Sequence, residues 1–347
     1  MITLSFRKLN HNVMSEDNTM SRRKALGSIG AVLATTVISP AMAGGLGSED
    51  FTPGPGLEDP TTKYVRPPFK EQKQEWPGLV SKMDPRPDHG EKSYKGSGRL
   101  KGLKALITGG DSGMGRAAAI AYAREGADVA INYYPTEEED AKEVIALIKA
   151  EGRKAVAIPG DLRDEAFCKK LVDEAVKALG GLDILVNNAA RQQTQKSILD
   201  ITSEAFDATI KTNIYAPFWI IKAALPHLKA GASIIGTSSV QATDPSEDLY
   251  DYAQTKAATT NYIKSLAKQL GPKGIRVNGV APGPIWTPLQ VSGGATMEKL
   301  KGFGGDTPMG RPGQPVELAS IYVQLAASDA SYATGQIYGA AGGAGQP

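Results

Sequence analysis

The chain has 347 residues, with 39 Lys+Arg against 37 Asp+Glu, a formal net charge of +2, 41% hydrophobic and 22% charged residues. That balance excludes a largely disordered chain, a multi-span membrane protein and a collagen-like repeat. It also argues against a dedicated nucleic-acid binder, which gathers basic charge on one face. A single cysteine, Cys168, rules out an intrachain disulfide, and the scattered His11, His89 and His227 form no metal-ligand cluster.

In chain order, Ser21-Arg22-Arg23-Lys24-Ala25-Leu26 precedes an apolar run over 25–38 and then Pro40-Ala41-Met42-Ala43. A charged start, a short apolar segment and a small-x-small site make residues 1–43 an export signal, cut after Ala43. The paired arginines are of the twin-arginine type. The expected destination is periplasmic, or cytoplasmic if the signal is not used. Fourteen helical residues reach only ~21 Å, short of the roughly 30 Å hydrocarbon core, so no lasting membrane insertion is expected. Residues 44–98 carry PGPG at 53–56, RPPF at 66–69 and DPRPD at 84–88, with no apolar period, and read as an irregular arm. Its Phe51, Tyr64, Phe69, Trp76 and Tyr94 suit an arm laid on the core or on a neighbouring subunit, and a flexible tether is the alternative.

Residues 99–347 read as one α/β domain. Apolar strand candidates at 104–108, 128–133, 155–159, 184–187, 233–237, 276–281 and near 336–338 alternate with amphipathic stretches near 113–125, 137–150, 164–179, 202–225, 252–270 and 316–327. Strands separated by helices imply a doubly wound parallel sheet of about seven strands with helices on both faces. Such sheets bind ligands at the carboxyl ends of their strands.

The first strand runs into Thr108-Gly109-Gly110-Asp111-Ser112-Gly113-Met114-Gly115, and a helix follows. Glycines there allow a sharp turn and a close approach to a pyrophosphate at the helix N-terminus. Further on, Tyr252-Ala-Gln-Thr-Lys256 opens a helix, with both side chains on one face. An ammonium ~4 Å from a phenol, at an effective dielectric near 20, favours the phenolate by roughly 4 kcal/mol. That is enough to bring a tyrosine pKa from about 10 down by about three, close to neutrality where proton transfer works best. Ser239, thirteen residues before Tyr252 and just after a strand, places a hydroxyl for a carbonyl or alcohol oxygen, with Ser238 as its competitor. Asn213, within a predicted helix, offers an amide that could hold a water linking the lysine to solvent.

Together with Asn187-Asn188-Ala189-Ala190 and Pro282-Gly283 followed by Ile285-Trp286-Thr287, these motifs resemble the short-chain dehydrogenase/reductase family over 99–347. Among its members the chain looks most like aldehyde reductases and glucose-dehydrogenase-like proteins with a Pro-rich extension. The resemblance implies a Rossmann-type fold and an NAD(P)-dependent oxidoreductase acting on aldehydes, ketones or their alcohols. In it Tyr252 is the acid/base, Lys256 lowers its pKa and binds the nicotinamide ribose, Ser239 polarises the substrate oxygen and Asn213 completes a proton relay. The implied cofactor contacts are Gly109, Asp111, Ser112, Gly113, Met114 and Gly115 in the turn, Asn132 at the end of the second strand, and Asp161, beside Leu162, on adenine. Asn187, Ala189, Pro282, Gly283 and Ile285 border the cofactor, with Thr287 on the nicotinamide amide. The second strand ends in Asn132-Tyr133-Tyr134 with no carboxylate, which favours NADP over NAD, although no arginine stands there for a 2′-phosphate. A loop over 284–310 is expected to close over substrate, with Leu289, Met297 and Phe303 as candidate lining. A homotetramer or homodimer is expected, with no metal. The rival readings are a cofactor-binding sensor or scaffold without turnover and, less favoured, a nucleotide-sugar epimerase relative.

Overall fold

The structure is a computed structural model and describes residues 56–345. The signal sequence read at 1–43, the first part of the arm and Phe51 lie outside the described residues.

Seven strands, β1 (Lys104–Thr108), β2 (Asp128–Tyr133), β3 (Ala155–Pro159), β4 (Ile184–Asn187), β5 (Ser233–Thr237), β6 (Arg276–Pro282) and β7 (Ile337–Ala340), form one parallel sheet in the order β3-β2-β1-β4-β5-β6-β7. The order reverses between β1 and β4, and the crevice beyond that point is where an open α/β sheet takes its ligand. Helices α1 (Gly113–Arg124), α2 (Glu138–Ala150), α3 (Glu165–Leu179), α4 (Ser203–Ile210), α5 (Ala216–Ala224), α6 (Tyr250–Leu270), α7 (Met297–Lys301) and α8 (Val316–Ala326) follow in chain order. One core joins the sheet to α1, α2 and α8, and a second joins its other face to α3, α5 and α6. The central strands are buried on both faces, which explains their unbroken apolar runs in place of an alternating pattern.

The helix expected over 202–225 is broken. Between α4 and α5 lies one π-helical turn, Lys211–Tyr215, which pushes Asn213 inward and buries it. Such single turns change which way a helix points its side chains. Local signals fix other ends: the Asp164 carboxylate caps α3 by accepting from Ala166 N, and Gly180 at φ 78 stops it.

The described part of the arm is irregular apart from a short 3-10 turn at Val80–Lys82, and it lies on its own domain. Phe69 stacks on Trp286 at 4.2 Å between ring centroids, with Met83, Val291 and Leu300 completing a third apolar cluster. Trp286 is fully buried, and its indole N–H donates to Pro85 O at 2.8 Å. Tyr94 reaches the Glu125 carboxylate at 2.7 Å, and Tyr64 reaches Asp88 at 3.0 Å. Glu91 pairs with the buried Arg116 of α1 at 2.9 Å. The described part of the arm therefore belongs to the folded unit, so Phe69→Ala is expected to destabilise the protein by about 3–4 kcal/mol, whereas Leu57→Ala, at an exposed position, stays within about 0.5 kcal/mol. Urea unfolding followed by tryptophan fluorescence measures both.

Candidate active site

The glycine turn after β1 leaves room for backbone and for little else. A Cβ on Gly115 would stand 1.9 Å from the Gly109 carbonyl oxygen, and one on Gly110 would meet Ile131 at 2.5 Å. Gly109 and Gly113 take φ of 62 and 51, which side-chain-bearing residues rarely adopt. The loop after β4 is tied to this turn. Thr108 Oγ1 accepts from the backbone N–H groups of Asn188 (3.0 Å) and Ala189 (3.1 Å), and the Asn188 amide donates to Gly109 O at 3.1 Å.

A crevice runs from this turn along the carboxyl ends of β1, β2, β3 and β4. Gly109, Asp111, Ser112, Gly113, Met114, Asn132, Asp161, Leu162, Ala189, Tyr252, Lys256 and Thr287 line it. Its mixture of close-approach glycines, an apolar floor and a buried ammonium at one end fits a dinucleotide. The end at β2 and β3 would hold the adenosine half, and the end at Tyr252 the nicotinamide half.

Other expected contacts stand elsewhere. Gly115 lies behind the turn, where its missing side chain lets α1 start against Gly109. Asn187 ends β4 inside the sheet, 6% exposed, and its amide has no hydrogen-bond partner; Asn188, Ala189 and Ala190 line the crevice in its stead. Pro282, Gly283 and Ile285 line an adjoining cavity shared with Ser239, Leu289 and Phe303, whereas Met297 is not among its lining residues. Crevice and cavity meet at Met114, Tyr252, Thr287 and Leu289. Asp161 stands on the rim, paired with Arg163, which holds its carboxyl below the usual range once its burial is offset.

At that junction Tyr252 is 6% and Lys256 4% exposed, with the ammonium 5.3 Å from the phenol ring centre. Lys256 Nζ donates to Thr237 O at 2.7 Å. Burial pushes the lysine down to about 7 and the phenol up to about 12, while a hydrogen bond with Ser239 pulls the phenol back. The sequence-based expectation of an acidified phenol is thus corrected: loss of water drives each of the two groups towards its neutral form. Ser238 is committed elsewhere, donating to Lys256 O (3.0 Å) and sharing a hydrogen bond with Thr260 (2.7 Å). Asn213 Oδ1 accepts from Arg191 N (2.8 Å), and its Nδ2 donates to Arg191 O (2.9 Å) and to Thr255 Oγ1 (3.0 Å). Both of its donors are taken, leaving an Oδ1 lone pair as its site for a water.

Sequence reasoning missed two features of the crevice. Glu137, beyond the second strand, lines the crevice with Asp111; burial pushes both carboxyls up, Asp111 to about 6 and Glu137, which also feels the Asp111 charge, to about 10. Trp76, Pro77 and Gly78, from the arm, form part of its wall. Cys168 is buried in α3, its thiol donating to Leu162 O at 3.2 Å and pushed up to about 12 by burial, away from any chemistry. Among the described residues no group of acidic, histidine or cysteine side chains could hold a metal, and no helix is long and apolar enough to cross a membrane.

The close approach of Gly115 to Gly109 makes a sharp test. Gly115→Ala is expected to abolish dinucleotide binding, measured by quenching of tryptophan fluorescence. Gly271→Ala, where a Cβ meets nothing within 4 Å, should bind normally and be neutral or more stable by up to about 1 kcal/mol.

Comparison with known proteins agrees with this geometry. A sequence model of a protein family, described as enoyl-(acyl carrier protein) reductase, matches residues 109–344. The uncharacterized oxidoreductase YghA of Escherichia coli is 59% identical over 287 residues, 83% of this chain and 98% of that protein. The NADPH-dependent aldehyde reductase 1 of Arabidopsis thaliana is 44% identical, over 79% of this chain and 97% of that protein. Among solved structures, a short-chain dehydrogenase from Burkholderia cenocepacia in complex with NADP superposes with a TM-score of 0.66 at 36% identity, covering 71% of this chain and 98% of that one. With its sheet order, its glycine turn and its buried tyrosine–lysine pair, the chain belongs to the short-chain dehydrogenase/reductase family of NAD(P)-dependent oxidoreductases.

Proposed function

We propose that this enzyme interconverts an aldehyde or ketone with its alcohol, that it prefers NADP, and that Tyr252 carries the proton. The observation behind this reading is the position of Tyr252, buried beside Lys256 and Ser239 where the dinucleotide crevice opens into the adjoining cavity. A nicotinamide held at this end of the crevice would supply or take the hydride. The Tyr252 phenol, protonated at neutral pH, gives its proton to a carbonyl oxygen in reduction; in oxidation its deprotonated form takes the proton of the alcohol hydroxyl. Ser239 orients that oxygen through its hydroxyl. Lys256, pushed down to about 7, is partly charged at neutral pH; in the charged form it favours the phenolate left by proton transfer. Asn213 fixes the Arg191 backbone and Thr255, which steadies the helix carrying Tyr252 and Lys256.

Three points support NADP. No carboxylate stands at the end of β2, burial pushes the nearby Glu137 carboxyl up to about 10 so that it carries no charge at neutral pH, and the Arabidopsis relative is named for NADPH. The cavity mixes Leu289 and Phe303 with Gln192, Asp248 and Lys299, which suits a carbonyl compound with polar substituents. A homodimer or homotetramer belongs to the same proposal, with the exposed Tyr215 and Phe218 on and beside α5 as candidate contacts.

A panel of aldehydes, ketones and sugars, each tried with NADP(H) and NAD(H) by nicotinamide absorbance, identifies the substrate class. Tyr252→Phe is expected to lower turnover by about 10²- to 10⁴-fold and to leave the dinucleotide dissociation constant nearly unchanged. Unaltered turnover would remove Tyr252 from the chemistry.

We further propose that the twin-arginine segment exports the chain folded, with its nucleotide already loaded, because free nicotinamide nucleotides are expected to be scarce outside the cytoplasm. Exported protein, once purified and denatured, should then release close to one nucleotide per chain. Release of none would contradict loading before export.

A further inference from the structure

The adenosine end of the crevice is not closed by the α/β domain. Tyr134, after β2, and Arg191, after β4, stand on loops to either side of the glycine turn that follows β1. Trp76 spans between them: its ring lies 5.2 Å from the Tyr134 ring, and the Arg191 guanidinium lies 5.8 Å from its centre. Trp76, Pro77 and Gly78 line the same crevice as Gly109, Gly113 and Asp161.

The segment around Trp76 is pinned at both ends. Gln74 N donates to Val291 O at 2.9 Å, on the loop that walls the adjoining cavity. On the far side, Val80 N donates to the Asp140 carboxylate of α2 at 2.6 Å, with Ser81 N on its second oxygen at 3.3 Å. Between these anchors the Gln74 side chain closes the span on itself, donating to Leu79 O (3.0 Å) and accepting from Leu79 N (2.7 Å). Gly78 runs so close to the substrate loop that a Cβ there would meet Pro288 O at 2.9 Å. The alignment with the Escherichia coli relative is longer than the domain that follows residue 98, so it takes in part of this arm.

We propose that residues 74–81 form a strap belonging to the nucleotide site, with Trp76 covering the adenosine half of the dinucleotide, so that nucleotide leaves only as the strap lifts. This rests on the dinucleotide reading above and adds a binding residue from outside the α/β domain. An indole is a large, rigid and largely apolar cover, and its contact with a nucleotide base is lost at a cost of roughly tenfold to a hundredfold in affinity. Because the strap is anchored to Val291, its closure is also tied to the loop over the substrate cavity.

The test uses the full chain, with NADPH as probe and nicotinamide mononucleotide, which lacks the adenosine half, as control. Trp76→Ala is expected to raise the NADPH dissociation constant about 10- to 100-fold, mainly through faster dissociation in stopped-flow displacement, and to leave mononucleotide affinity unchanged. Trp76→Phe should keep most of the affinity. Gln74→Ala, outside the crevice lining, should speed NADPH release by loosening the strap even if Trp76→Ala folds poorly. The strap is overturned if NADPH affinity and dissociation rate stay within about twofold in both alanine variants, or if mononucleotide and dinucleotide weaken equally. A wild-type chain that binds neither NADPH nor NADH overturns the dinucleotide reading itself.

Discussion

Removing water from Tyr252 and Lys256 together is the constraint on which the site depends. The ammonium keeps a carbonyl partner, Thr237 O, and the phenol keeps Ser239, but no charged partner contributes to either shift. Each group is therefore driven towards its neutral form, the lysine to about 7 and the tyrosine to about 12. The sign of the consequence follows by linkage. A lysine depressed in the folded state holds fewer protons than the unfolded chain between pH 7 and its ordinary value, so its contribution to stability rises with pH across that window. A tyrosine raised in the folded state acts in the opposite sense above pH 10. At neutral pH the phenol keeps its proton, which is the form that serves carbonyl reduction.

The scaffold makes that burial possible. The strand ends of β5 and β4 supply Thr237, Ser239 and the tied Asn188 loop, and α6 brings tyrosine and lysine one turn apart on a single face. The π-helical turn at Lys211–Tyr215 turns Asn213 inward to grip both the Arg191 backbone and Thr255 of α6. Helix, loop and sheet thus converge on one junction, and an error in any of them would open it to water.

Much of this was legible in the chain. Strands buried on both faces show as unbroken apolar runs, and α2 and α3 bury one side at a helical period. The glycine turn and the Tyr252–Lys256 spacing are local patterns whose geometry is set within a few residues. What escaped depends on contacts distant in sequence. No local signal marks the π turn inside an otherwise helical stretch, or the return of Glu137 to Asp111. The placing of Trp76 over the crevice arises from anchors on Val291 and Asp140, more than two hundred and about sixty residues away. The tyrosine–lysine estimate failed for the same kind of reason: spacing gives distance, whereas desolvation depends on everything packed around the pair.

The most direct measurement of this account is a nitrogen NMR titration of the lysine side chains in the cofactor-free protein, with Lys256→Met identifying the signal. One ammonium resonance titrating near pH 7 and missing in the variant is the predicted result. If every lysine, Lys256 included, keeps its charge until pH 10, the buried-pair account is contradicted.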